Sequence, residues 1–142
     1  MSDVRLLYPV FVQIALTFVL LVAMGRARAR SARRGEVKIK DIALGQRAWP
    51  DRVTQISNAF HNQLELPVLF YVLVAFVIIT RTADTVLLLM AWAFVALRLV
   101  HAWIHVTHNN VIRRFYVYIA GGVVLIAMWV VFAVRIVAVQ GL

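Results

Sequence analysis

The sequence has no cysteine and few charged residues, and only six of its 142 residues are acidic. Without cysteine there is no disulfide framework, thiolate metal site or cysteine nucleophile, so any thiol must arrive with a ligand. An ordinary soluble domain is roughly 45–50% apolar and about 25% charged. This chain is 63% hydrophobic and 15% charged, with a mean hydropathy of +0.87. The balance excludes a disordered tail, a secreted disulfide module and almost every water-soluble fold.

The apolar residues are grouped into four runs, at residues 6–25, 58–80, 85–106 and 115–138. A helix that spans a bilayer needs about 20 apolar residues. Four spans therefore use nearly the whole chain and leave no room for a separate soluble domain. We predict an all-α integral membrane protein with one domain, residues 1–142. Because most connections are short, its four helices are expected to form an up-and-down bundle.

Basic residues are concentrated in one connection. The formal net charge is +9, and nine of the fifteen Lys and Arg residues lie in segment 26–52, after the first span. This distribution is typical of a cytoplasmic loop rather than of a nucleic-acid-binding protein. We therefore expect no nucleic-acid partner. The charge bias predicts a multi-pass topology with loops 26–52 and 107–114 in the cytoplasm and both termini on the opposite side. The short chain suits a bacterial inner membrane.

Polar side chains form two stripes at helical spacing within the apolar runs, near their cytoplasmic ends. The second span places four of them on one face: Asn58, His61, Asn62 and Glu65. The third span does the same with Arg98, His101, His105 and His108. Burying an unpaired charge in hydrocarbon costs several kcal/mol, so such residues are usually paired or line a polar cavity.

Glu65 and Arg98 are predicted to lie at the same depth. Glu65 lies 15 residues before Thr80 and Arg98 lies 13 residues after Thr85. At about 1.5 Å per residue these separations are roughly 22 and 20 Å along antiparallel helices. We predict that the two side chains interact. They either form an ion pair that only joins the helices, or belong to a ligand cavity with the polar residues around them.

A metal or haem site is a further alternative, because His101 and His105 are one helical turn apart and His61 is available as another ligand. Without cysteine this signal is weak, and we expect no metal. At the start of the fourth span, Arg113 and Arg114 are consistent with an interfacial anchor. Tyr118 follows Arg114 by four residues, so those two can face the same neighbour.

These residues together resemble the MAPEG family, the membrane-associated proteins in eicosanoid and glutathione metabolism that include the microsomal glutathione transferases. The resemblance covers essentially the whole chain. It is carried by the segment Asn62-Gln-Leu-Glu65-Leu-Pro67-Val-Leu-Phe70, by Arg98-Leu-Val-His101 with the following His105, and by Arg113-Arg114 with Tyr118.

The resemblance implies a homotrimer in the lipid bilayer, with glutathione bound as co-substrate between subunits. It implies a detoxifying transferase or peroxidase that attacks lipophilic electrophiles or hydroperoxides with the glutathione thiolate. Arg114, or its neighbour Arg113, would face the thiol. The residues implied to bind glutathione are Asn62, Glu65, Arg98, His101, His105, Tyr118 and His61, with Arg26 or Arg28 from the next subunit.

The chain departs from the family pattern at several of these positions. His105 stands where the family enzymes carry Tyr, and His61 and Asn58 stand where some carry arginine. Fewer cations are then available for the two glutathione carboxylates. The alternative function is a noncatalytic membrane scaffold, or a subunit that binds a lipid or small molecule.

Overall fold

The computed structural model describes residues 3–43 and 48–140, and every regular element in these ranges is helical. The helices are α1 (Leu7–Arg33), α2 (Asp51–His61), α3 (Leu66–Ile79), α4 (Thr85–Val106) and α5 (Val111–Gln140). Short 3₁₀ turns cover Asp3–Leu6, Ile39–Asp41 and Asn62–Leu64. The last of these turns joins α2 to α3, so the two helices form one interrupted span.

Four stretches are long and apolar enough to cross a membrane: Val4–Arg33, Asp51–Ile79, Thr85–Val106 and Val111–Ala138. This confirms the predicted fold class, an all-α membrane bundle of four spans. Helix α4 lies at its centre, in contact with α1, α2 and α5, and α3 packs against α5. The apolar core is built around Phe70 of α3 and Phe94 of α4, whose ring centroids are 4.8 Å apart.

The segment predicted as the loop 26–52 is helical at both ends. Helix α1 continues to Arg33, so eight residues of that segment belong to it, and α2 already begins at Asp51. Alanine and arginine, which alternate after Gly25, are both strong helix formers. The helix ends where Gly35 adopts a φ of +70° and Glu36 N–H donates to the Ser31 carbonyl at 3.1 Å. Residues 44–47 of the segment lie outside the described residues.

The second span is interrupted at Glu65, whose backbone is not helical (φ −99°, ψ −105°). Pro67 explains the interruption: it has no N–H to donate to the carbonyl of residue 63, and its ring clashes with that carbonyl in a continuous helix. Proline is tolerated in the first turn of a new helix, and α3 begins at Leu66. The interruption lies 14 residues from the end of α3, or about 21 Å along the helix, at the level of the bilayer interior.

An ion pair joins the start of α4 to α5 at the end of the bundle opposite the basic segment 26–52. Asp84 is the N-cap of α4, and its carboxylate accepts a hydrogen bond from Leu87 N–H at 2.9 Å. Arg135 of α5 donates to the same carboxylate and to the Thr82 carbonyl. The hydrogen bond from Arg135 holds the pKa of Asp84 below its usual value.

The Asp84→Asn variant is expected to lower the thermal stability of the detergent-solubilised protein at neutral pH. Asparagine keeps the N-cap acceptor but loses the charge that pairs with Arg135. The pKa of Asp84 in the folded protein lies below the ordinary carboxyl value of 3.8. The stability that the charged Asp84 adds to the fold is therefore complete above pH 3.8 and is lost as pH falls through the lowered pKa. The difference in Tm between wild type and variant should therefore close only as pH falls below the ordinary carboxyl pKa. A difference that stays constant with pH would contradict this role.

Candidate functional site

A cavity of about 220 Å³ lies where the α2–α3 junction, α4 and α5 meet, and it is open to the surface. Seven residues line it: Asn62, Glu65, His101, Val111, Arg114, Phe115 and Tyr118. Five of these seven are residues that the sequence singled out as candidates. They come from three separate spans, so the bundle brings together the polar stripes and the start of α5.

Tyr118 lies close to two other polar residues of the cavity lining, Glu65 and His101, and to the buried Arg98. Its hydroxyl donates to a carboxylate oxygen of Glu65 at 3.2 Å. The centroid of its ring lies 5.7 Å from that of His101 and 5.9 Å from the guanidinium carbon of Arg98. Tyr118 therefore contacts both the carboxylate of Glu65 and the region of the buried cation of Arg98.

The predicted Glu65–Arg98 ion pair is absent among the described residues. Arg98 is only 1% exposed and donates to the backbone carbonyl of Asn62 at 2.7 Å. The depth comparison assumed a continuous helix through Glu65. Because the helix is interrupted there, Glu65 turns to Tyr118 and the exposed side of the cavity, and a backbone carbonyl near the interruption accepts from Arg98 instead. The Nε and Nη1 groups of Arg98 are buried without a hydrogen-bond partner in the described structure.

The two buried histidines of α4 have different positions. His101 lines the cavity, and its Nδ1 is buried without a partner in the described structure. His105 lies one turn further on, with its ring centroid 5.8 Å from that of His101 and its Nδ1 3.4 Å from the Asn62 amide nitrogen. Gln55 donates to the backbone carbonyl of His105 at 2.7 Å and so fixes this end of α4 against α2. His105 thus supports the wall of the cavity through Asn62.

Of the two adjacent arginines on α5, only Arg114 lines the cavity. Its guanidinium donates to the side-chain oxygen of Asn109, which adopts a left-handed backbone conformation in the turn before α5 (φ +48°). Arg113 is exposed, and its backbone N–H is capped by Asn110 at 3.0 Å. Within one protomer, the structure therefore places Arg114 and not Arg113 beside Glu65 and Tyr118.

Five predicted binding residues do not line this cavity: Arg98 and His105, which are buried behind it, and also His61, Arg26 and Arg28. His61 is exposed at the end of α2, with its Nδ1 2.7 Å from the Ser57 carbonyl. Arg26 and Arg28 lie on α1, which contributes no residue to the lining. The Arg28 guanidinium carbon lies 5.3 Å from the centroid of the Trp49 ring, and Arg26 lines a separate groove.

Sequence reasoning missed the two apolar residues of the lining, Val111 and Phe115, which are both exposed. Nothing distinguishes them in a chain where most residues are apolar. Val111 lies three residues before Arg114, and Phe115 lies three residues before Tyr118. This spacing places each of them on the same side of α5 as the polar residue that follows. They give the cavity an apolar edge beside its polar groups.

The described residues contain no group of three or more His, Cys, Asp or Glu side chains that could hold a metal ion. His101 and His105 are close to each other, but His61 points elsewhere. His61 therefore does not supply the third ligand that the alternative of a histidine-based metal site requires.

Comparison with known proteins gives one match. The model of the MAPEG family matches residues 6–134, nearly the whole chain. No curated protein and no solved structure matches significantly. The match includes most of each of the four spans and every residue of the cavity lining. The chain therefore belongs to the MAPEG family and is a multi-pass membrane protein related to glutathione and eicosanoid metabolism.

Proposed function

We propose that this protein is a glutathione-dependent transferase or peroxidase that acts on lipophilic electrophiles or hydroperoxides. The observation that carries the proposal is the composition of the cavity. Asn62, Glu65, His101, Arg114 and Tyr118 come from three spans, and all five are positions at which the MAPEG resemblance implies glutathione contacts. One cavity therefore offers a carboxylate, a cation and several hydrogen-bonding groups to a small zwitterionic peptide.

Glutathione carries one ammonium, two carboxylates, two amides and a thiol. In the proposed complex the carboxylate of Glu65 binds the ammonium, and Asn62 binds a peptide group. Tyr118 flanks the peptide. Arg98 is buried behind its ring and adds positive potential without direct access. His105 holds Asn62 in position. His101 lines the cavity and presents its imidazole ring to the ligand.

Arg114 is the residue proposed to activate the thiol. A free thiol with a pKa of about 8.5 is mostly protonated at neutral pH, and a nearby arginine lowers that pKa. Arginine keeps its charge even when it is partly desolvated. Arg114 also lies in the first turn of α5, where the backbone N–H groups and the helix dipole add positive potential. The thiol proton passes to water, and Arg114 stabilises the thiolate that remains.

The thiolate then reacts with a second substrate that enters from the lipid. In conjugation its sulfur forms a C–S bond with the electrophilic carbon, and the leaving group departs with the bonding electrons. In peroxidase turnover a lipid hydroperoxide is reduced to an alcohol and water, while two glutathiones are oxidised to the disulfide. Val111 and Phe115 form the apolar edge where such a substrate would lie.

The small volume of the cavity favours an assembly in which a neighbouring subunit completes it. Sites for drug-sized ligands are typically about 300–1,000 Å³, and this cavity has about 220 Å³. In the proposed homotrimer, Arg26 or Arg28 of the next subunit reaches a glutathione carboxylate, and His61 faces a neighbour. The cavity and the basic end of α1 face the cytoplasm of a bacterial cell, and both termini lie on the opposite side of its inner membrane.

Glutathione binding to the purified protein in a neutral detergent tests this proposal. We expect saturable binding by calorimetry, with an ultraviolet difference spectrum of thiolate at neutral pH. S-methylglutathione is the matched control ligand, because it keeps the charges of the peptide and cannot ionise at sulfur. It should bind without the thiolate signal.

Absence of binding at millimolar glutathione would overturn the proposal. A noncatalytic member of the family, a scaffold or a subunit that binds another small molecule, would then be the better interpretation of His61 and His105. Binding without a thiolate signal would leave the cavity as a glutathione site but remove the proposed activation by Arg114.

A further inference from the structure

The turn that carries Asn62 at the cavity wall is held from its inner side by a side chain of α1. Gln63 lies between Asn62 and Glu65, but it is 1% exposed and does not line the cavity. Its side-chain oxygen accepts a hydrogen bond from Nε2 of Gln13 at 3.0 Å. Gln13 lies on α1 and is fully buried. The Asn62–Leu64 turn therefore faces the cavity on one side and α1 on the other.

The orientation of the Gln63 amide is fixed by a second hydrogen bond. Its Nε2 group donates to the Ala59 carbonyl at 3.0 Å, in the last turn of α2. Because the nitrogen is bound to α2, the oxygen is the group that faces α1 and accepts from Gln13. The side chain of Gln63 thus connects the end of α2 to the first half of α1.

The turn depends on such side-chain contacts because it has lost backbone hydrogen bonds. Pro67 has no N–H and cannot donate to the Gln63 carbonyl. Within a membrane, groups freed by a helix break are satisfied by neighbouring helices. Arg98 does this from α4, where it donates to the Asn62 carbonyl at 2.7 Å. Gln13 adds a second contact from α1, so two other spans hold the turn.

We propose that Gln13 is a positioning residue for glutathione, because its hydrogen bond to Gln63 fixes the turn at the cavity wall. Asn62 and Glu65 extend from the two ends of this turn. The inference rests on the proposed function of the cavity. Gln13 does not line the cavity, so it acts through the turn and not on the ligand. Because Arg114 lies on α5, the loss of Gln13 should change the affinity for glutathione and not the reactivity of the bound thiol.

The Gln13→Leu variant tests the proposal, since leucine is of similar size and has no donor. We expect the Kd for glutathione, measured by calorimetry on the purified protein in a neutral detergent, to rise about tenfold. This is the equivalent of about 1.4 kcal/mol, the size of one hydrogen bond. The kcat at saturating glutathione, and the pH at which the bound thiol ionises, should stay those of wild type. A lower Tm with unchanged Kd would indicate a bond that only joins two helices, and would overturn the proposal.

Thr17→Val is the matched control. Thr17 lies one turn further along α1, and its hydroxyl donates to the backbone carbonyl of Gln13 at 3.0 Å. The variant removes a polar group from the same helix and leaves the side chain of Gln13 in place, so it should bind glutathione as wild type does. An equal loss of affinity in Thr17→Val would overturn the proposal.

A double-mutant cycle shows whether the two glutamines act together. The losses of affinity in Gln13→Leu and Gln63→Leu should not add up in the double variant, since both substitutions break the same hydrogen bond. If the two losses multiply fully, each residue acts independently of the other and the proposal is wrong.

Hydrogen exchange of the unliganded protein gives a readout that does not require glutathione. Peptides that cover residues 61–66 should exchange faster in Gln13→Leu than in wild type, and peptides of α5 should not change. If wild type bound no glutathione, the proposed function would fail, but faster exchange in this segment would still support Gln13 as the residue that holds the turn. Unchanged exchange with unchanged Kd would overturn the inference and leave the proposed function intact.

Discussion

Arg114→Ala is expected to lower kcat for glutathione conjugation by roughly 100- to 1,000-fold, the effect of removing one preorganised group that stabilises developing charge. Arg114 is the only arginine or lysine among the residues that line the cavity, which Glu65 also lines, and its guanidinium donates to the side-chain oxygen of Asn109. Without it the bound thiol should ionise at a higher pH. Steady-state kinetics with saturating glutathione and an aryl halide, measured across a pH series, would show both the lower kcat and the ionisation of the thiol at a higher pH.

Arg113→Ala is the control for this prediction. It removes the same charge from the adjacent position of the same helix, but its side chain is exposed and outside the cavity of its own protomer. Both variants should keep the thermal stability of wild type, since neither side chain is part of the buried core. If Arg113→Ala loses activity while Arg114→Ala keeps it, the assignment on α5 is wrong by one residue.

Glu65→Gln is expected to weaken glutathione binding roughly tenfold to a hundredfold. Hydrogen bonds to charged groups contribute about 1.5–3 kcal/mol, and the variant removes the negative partner of the glutathione ammonium. The protein itself should stay as stable as wild type, because Glu65 is exposed and a glutamine oxygen can still accept from the Tyr118 hydroxyl. Calorimetric titration and thermal unfolding of the same preparation separate the two effects.

Glu36→Gln is the matched variant, because Glu36 is also exposed and lies beyond α1, outside the cavity. It should leave glutathione affinity unchanged. Equal losses of affinity in the two variants would indicate a general effect of net charge. A clear drop in the Tm of Glu65→Gln alone would instead indicate the direct pairing with Arg98 that the structure does not contain.

The sequence was sufficient to predict the four spans and most of the cavity. Long apolar runs have few structural alternatives in a bilayer, so the fold follows directly from them. Asn62, Glu65, His101, Arg114 and Tyr118 were found because polar residues stand out against apolar ones. The same contrast could not reveal Val111 and Phe115, which resemble every residue that faces lipid.

Partners were harder to predict than members of the site. Glu65 and Arg98 both lie beside Tyr118, but they form no direct ion pair among the described residues. The residue count treated the span as one straight helix, whereas Pro67 interrupts it. Gln13 and Gln63 illustrate the same difficulty. Their buried side chains share a hydrogen bond of 3.0 Å across 50 residues of sequence, and helical periodicity within one segment cannot indicate which residue of another segment lies opposite.

The interruption at Glu65 divides the second span into two helices with different contacts. Helix α3 packs into the apolar core through Phe70, Leu73, Val74 and Val77. Helix α2 is joined to the end of α4 by the hydrogen bond from Gln55 to the His105 carbonyl. A small rotation about the joint would move Asn62 and Glu65 relative to Tyr118 while the core contacts of α3 stayed in place. A change of angle at the joint would therefore alter the geometry of the cavity more than that of the apolar core.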